Sequence, residues 1–173
     1  MDKWYMLTVV GSDRPGIVAR LTHALFEGGA NLGEASMMRL GGNFTIMLMV
    51  EYAGTAHRLD ELVEPVLQSL GLRWHVDRIE GRLHQHRLPD VRIRVSGADR
   101  AGIVARVTGA LAEAGLNILE LESDVGGSAE RPIYVMHIEG HAVEGVEVLR
   151  SALAAVSDEG MDVSLEPIDT MIG

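Results

Sequence analysis

Residues 12–20 read SDRPGIVAR and residues 98–106 read ADRAGIVAR. The likeness extends on both sides. GSDRPGIVARLTHALFEGGANLGE (11–34) and GADRAGIVARVTGALAEAGLNILE (97–120) align at a shift of 86 residues. Roughly two thirds of the aligned positions are identical, more than shared helix composition gives. A period of this length exceeds a solenoid repeat and suits a small domain. The 173-residue chain therefore reads as a duplicated domain: the first over 1–80, a linker over 81–90 and the second over 91–173.

Each half parses in the same order. WYMLTVV (4–10) and VRIRVS (91–96) are strand-like, the second alternating with Val91, Ile93 and Val95 on one face. A helix follows the repeated turn, with Ile17, Leu21, Ala24 and Leu25 at helical spacing, matched by Ile103, Val107, Ala110 and Leu111. Asp13 and Asp99 stand where N-caps belong, Pro15 suits a first helical turn, and Gly28-Gly29 and Gly115 suit helix ends. Next come paired strands. Gly41-Gly42-Asn43 reads as a tight hairpin, whereas GGSAERP (126–132) reads as a longer, mobile loop. A second helix carries Leu59, Leu62, Val63, Val66, Leu67 and Leu70 in one half, and Val143, Val146, Leu149, Leu153 and Val156 in the other. Pro65 predicts a kink or a late start there. Final strands follow Gly71 and Gly160. The order β-α-β-β-α-β, twice, predicts an α+β protein of two ferredoxin-like units, each an antiparallel four-stranded sheet with two helices on one face.

Composition narrows the function. With 47% hydrophobic and 23% charged residues the chain is ordinary globular material, and units of this size favour packing together or oligomerising. The absence of Cys removes disulfide and thiolate chemistry and suits a reducing compartment. No leader-like or membrane-length apolar stretch occurs, so a cytoplasmic location is expected. Net charge is −10, which repels a phosphate backbone. Arg82, Arg87, Arg92 and Arg94 cluster near the linker without interleaved aromatics and read as a solvated connector. His84 and His86 supply two ligands where a zinc site needs four, so no metal or cofactor is expected. Ser12, Asp13 and His23 lack a nucleophile elbow, and no catalytic residue emerges.

The repeated turn offers a binding chemistry. Amides at a helix start are unpaired and electropositive, and Gly16 and Gly102 let a ligand come close. A small carboxylate fits there, with Asp13 or Asp99 facing an ammonium group. Asn31 and Asn117 open the second strand, expected beside the turn, and can bond the same zwitterion. Caps, a tight turn and strand starts also account for these residues, so a purely structural role stays open.

DRPGIV followed by GANL, after an apolar strand, resembles the signature of the ACT domain, and DRAGIV with GLNI repeats it in the second half. The tandem pair resembles the glycine cleavage system transcriptional repressor family. The resemblance implies sensing of a small amino acid, glycine by family, at interfaces where such domains pair, hence a homo-oligomer. It places ligand contacts at Gly11, Ser12, Asp13, Arg14, Pro15, Gly16, Ile17 and Val18 with Asn31. In the second half they fall at Gly97, Ala98, Asp99, Arg100, Ala101, Gly102, Ile103 and Val104 with Asn117. Ala101 departs from the motif's proline, and Gly11 and Gly97 stand where some relatives carry a polar side chain. The repressor family is implied to act through a DNA-bound activator without touching DNA. The acidic charge and the lack of a helix-turn-helix segment agree independently. Two other readings stand beside it: a regulatory subunit of an amino-acid metabolic enzyme, and a dimerisation module without ligand.

One surface expectation remains. If Leu7 and Val9 face the helices, Met6, Thr8, Val10, Met47 and Met49 line the opposite face of the first sheet. Arg92 and Arg94 take the matching places in the second. The first face then reads as a partner surface, or the methionines merely fill gaps.

Overall fold

The structure is a computed structural model that describes residues 3–80, 87–98, 100–157 and 160–168. The chain divides into two compact units, Met1–Gln85 and His86–Gly173. The first runs β1 (Lys3–Ser12), α1 (Ile17–Glu27), β2 (Asn31–Leu40), β3 (Asn43–Tyr52), α2 (Ala56–Ser69) and β4 (Arg73–Ile79). The second runs β5 (Val91–Gly97), α3 (Arg100–Glu113), β6 (Leu116–Ser128), β7 (Arg131–Ala142), α4 (Val146–Val156) and β8 (Asp162–Pro167). The sheets are antiparallel in the orders β2-β3-β1-β4 and β6-β7-β5-β8. The βαββαβ order is the expected one.

Period-two alternation builds each sheet's inner face. Tyr5, Leu7 and Val9 of β1 and Phe44, Ile46, Leu48 and Val50 of β3 are buried against Leu21 and Leu25 of α1 and Leu59, Val63 and Leu67 of α2. Val91, Ile93, Val95, Met136 and Ile138 face Val107, Leu111, Leu149 and Leu153 in the second core. At roughly 1.5–3 kcal/mol for each large apolar side chain taken from water, these stripes carry each unit's stability.

Four local expectations are corrected. Pro65 lies inside α2, which runs unbroken from Thr55, whose hydroxyl accepts the Arg58 N–H, so the helix does not start late. Pro65 is exposed, so the carbonyl it leaves without an intrahelical donor can be solvated. Val143 precedes α4 and is exposed. GGSAERP is no loop: β6 and β7 stay paired to Ser128 and Arg131, leaving Ala129-Glu130 as the turn. Asp13 does not cap α1. The N-cap is Gly16 in the left-handed region (φ 86°), Pro15 sits ahead of the helix, and no side chain caps it. The first hairpin is as tight as expected, with Gly41 and Gly42 both at positive φ, the geometry of a two-residue turn. Most of the expected linker, 81–86, and with it His84 and His86, lies outside the described residues.

Candidate functional site

The repeated turn of the first unit opens into a cleft of about 550 Å³. Asp13, Arg14, Pro15, Gly16, Ile17 and Val18 form one wall with Ala19. Met37 and Arg39 of β2 and Phe44 of β3 form the other. The wall is held in place by the Asp13 N–H, which donates to the Gly42 carbonyl at 3.0 Å. Proline restricts the residue before it to extended backbone, which stops the helix short of Arg14. Gly16 then makes the turn, its carbonyl accepting the Arg20 N–H at 3.0 Å. No heavy atom comes within 4 Å of a Cβ built on Gly16, so its surroundings are open.

Asp13 pairs with one of the two arginines that line the cleft, and Arg14 adds a second positive charge to it. Arg39 Nε lies 2.6 Å from Asp13 Oδ2, with Asp13 23% exposed and Arg39 68%. Sequence reasoning overlooked Arg39, Met37 and Phe44. The signal was available: a two-residue hairpin at Gly41-Gly42 fixes Arg39 opposite Phe44, and Phe44 pairs with Gly11. Counting outward from the turn places Arg39 beside the repeated motif.

Other expected site residues lie elsewhere. Gly11 and Ser12 belong to β1 and do not line the cleft. A Cβ on Gly11 would meet Leu72 Cδ2 at 2.5 Å, so this glycine answers to packing. Gly97 is in the same position, 2.6 Å from Ile103 Cδ1 by the same construction. Asn31 is not beside the turn. It pairs with Glu51, seven residues along β3 from Phe44, hence about 23 Å away at a strand rise of ~3.3 Å. Its amide reaches the Glu51 carboxylate instead. Asn117 pairs with His141, and Gly97 with Tyr134, which separates them in the same way. The error was one of direction: β1 and β2 run parallel, so the start of β2 lies at the end of the sheet opposite the turn.

The second copy of the turn takes a different conformation. Asp99 lies outside the described residues. Arg100 and Ala101 begin α3, which therefore starts three residues earlier than α1 in the aligned numbering and holds Gly102 within it. Ala101 lifts the restriction that Pro15 places on its predecessor. Ala98 is exposed, Ile103 is buried in the core and Val104 packs against it. Among the described residues no group of three or more His, Asp or Glu side chains could hold a metal ion.

Two βαββαβ units in tandem set the class of protein by architecture, and comparison with known proteins gives the family. ACT-domain models match residues 5–77 and 91–160, and the chain belongs to the ACT-domain family. It is 26% identical over 137 residues to the glycine cleavage system transcriptional repressor of Escherichia coli (strain K12), covering 79% of this chain and 72% of that protein. Among solved structures it is similar to an unknown protein from Galdieria sulphuraria, with 28% identity, a TM-score of 0.78, and coverage of 97% of this chain and 99% of that one. A second crystal structure, described provisionally as a glycine cleavage system transcriptional repressor, shares the fold: TM-score 0.70 at 20% identity, over 97% and 98% of the two chains.

Proposed function

We propose that the chain is a non-catalytic cytoplasmic regulator that senses a free amino acid and acts in transcription control by contacting an activator protein, without itself binding DNA. The observation that carries this reading is the Asp13–Arg39 pair at the mouth of the first-unit cleft. An α-amino acid carries the same two charges in reverse order, so it can meet both partners at once. Glycine, which figures in the name of the Escherichia coli repressor, heads the candidates.

Other observations support the remaining parts. A net charge of −10 disfavours phosphate contact. No described helix is long and apolar enough to cross a membrane. The edge strands β2 and β6 expose Leu32, Met38 and Leu40, and Leu119, Leu121 and Val125, the kind of edge that invites pairing with another chain and favours a homo-oligomer. On the outer face of the first sheet Met47 is 49% exposed, and Met6 and Met49 are half-buried, an apolar surface suited to a protein partner.

A thermal-shift screen against the twenty amino acids tests the ligand. Saturation at 100 times Kd adds about 2.7 kcal/mol to the bound state. For units of this size that raises the melting temperature by about 4–8 °C per kcal/mol. A shift with glycine or another amino acid supports sensing, and no shift with any of them rejects it. Capture from an extract with and without that amino acid then tests the partner: recovery of a transcription activator supports the reading, and recovery of a metabolic enzyme replaces it.

A further inference from the structure

The two copies share the motif and differ in what faces it. In the first unit Gly11 pairs with Phe44 and Phe44 with Arg39; in the second Gly97 pairs with Tyr134 and Tyr134 with Val125. Arg39 and Val125 are thus the same place in the fold. One step along the same face, Met37 opposite Ile46 becomes Ser123 opposite Met136. The second unit lacks the cation at this strand position and has a serine where the first has Met37, and its helix begins where the first unit's turn still runs.

We propose that the chain carries one amino-acid site, in the first unit, and that Arg39 makes the site by taking the ligand's carboxylate while Asp13 takes its ammonium group. This rests on the amino-acid reading above and adds how many ligands bind and which residue decides it. Without ligand, Asp13 and Arg39 neutralise each other across 2.6 Å. A zwitterion entering between them exchanges one ion pair for two, with no change in net charge. A carboxylate lacking the amino group would draw Arg39 from Asp13 and return no cation to it, so the α-amino group strengthens binding even with Arg14 in the same wall. The guanidinium fork has five N–H donors and can take a carboxylate through two of them, where a lysine offers only a point charge. Met37 and Phe44 flank Arg39 and place an apolar surface beside the ligand's carbon skeleton. At Val125, 46% exposed, a carboxylate would meet an isopropyl group.

The test uses the full chain, the twenty amino acids as probes and the variants Arg39→Val, Arg39→Lys and Val125→Arg. Calorimetry of the amino acid that shifts the wild type most is expected to give one site per chain. Arg39→Val should weaken it at least tenfold, Arg39→Lys less, and Val125→Arg should leave it unchanged. Amide resonance changes should gather at residues 13–19 and 37–44. The Arg39→Val protein without ligand should melt with the wild type, which separates lost binding from lost folding. Two sites per chain, unchanged affinity in Arg39→Val, or resonance changes centred on Gly102–Val107 would overturn this inference while leaving the amino-acid reading standing. Failure of every amino acid to bind the wild type overturns both.

Discussion

Two stretches with the sequence R-x-G-I-V-A-R sit in the same place in two like units and fold differently. In the first, Gly16 is a left-handed cap outside the helix; in the second, its counterpart Gly102 is inside one. The outer faces diverge as well. Met6 pairs with Met49 across β1 and β3, and the matching pair across β5 and β7 is Arg92 with Glu139. The cores do not diverge: Leu7, Leu21 and Leu25 are buried as completely as Ile93, Val107 and Leu111. Duplication has preserved what holds each unit together and released what each presents to others. Pro15 keeps its predecessor Arg14 out of the helix, a restriction that Ala101 does not place on Arg100.

The equality of the cores gives the largest expected effect. Leu25 and Leu111 are the same helix position and both are fully buried. Leu25→Ala and Leu111→Ala should each destabilise their own unit by about 2–5 kcal/mol, from lost transfer energy and a residual cavity. Hydrogen exchange read unit by unit in each variant checks this. Effects differing by more than about twofold would show that the units are not energetically matched, within the context dependence of such truncations.

Next come the paired glycines at the ends of β1 and β5. Gly11→Ala would place a methyl group 2.5 Å from Leu72 Cδ2, and Gly97→Ala one 2.6 Å from Ile103 Cδ1. The atoms met are the ends of buried side chains that can give way in part, so each variant should lose at most about 1–3 kcal/mol, which urea unfolding measures. A neutral result in one unit alone would locate slack that the other lacks.

Most of the fold was legible in the sequence because core-facing alternation and helical stripes are local signals, and the repeat supplied each of them twice. Val91, Ile93 and Val95, or Leu59, Val63 and Leu67, needed no partner to be recognised. The site was less legible. Asp13 looks like an N-cap when only its neighbours are considered, but it bonds Arg39, which is 26 residues on in sequence. Asn31 looks close to the turn until the strand order fixes its direction. Both depend on register, which is carried by hairpin geometry and not by composition. The 126–132 segment departs from its local signal for a related reason. Its glycines suggested a loop, whereas pairing with β7 keeps it extended.

The turn glycines test the conformational difference with opposite signs. Gly16 has a φ of 86°, so alanine there should cost about 1–2 kcal/mol, the penalty of placing a Cβ in the left-handed region. Gly102 lies within α3, where alanine should gain about 0.5–1 kcal/mol over glycine. Denaturant midpoints of Gly16→Ala and Gly102→Ala decide it. Equal losses would mean that both copies use the capped turn. Adding Ala101→Pro to Gly102→Ala sharpens the result: with proline restored, the residue before it is pushed out of the helix and the benefit of alanine should disappear.

The smallest effect is expected on the outer faces, where the two units differ most to the eye. Arg92 holds Glu139 through Nε and Nη2, both at 2.7 Å from Oε1, with Arg92 54% exposed and Glu139 26%, so water reaches the pair mainly from the arginine side. Exposed pairs of this kind contribute about 0–1 kcal/mol. Converting the pair to the first unit's Met–Met arrangement, Arg92→Met with Glu139→Met, should therefore move the unfolding midpoint little. It should also flatten the dependence of that midpoint on salt, since the interaction removed is one that ions screen. A loss well above 1 kcal/mol would mean that the charged face holds its sheet together. Unchanged stability would mean that the charges on the second sheet are not what holds that sheet together.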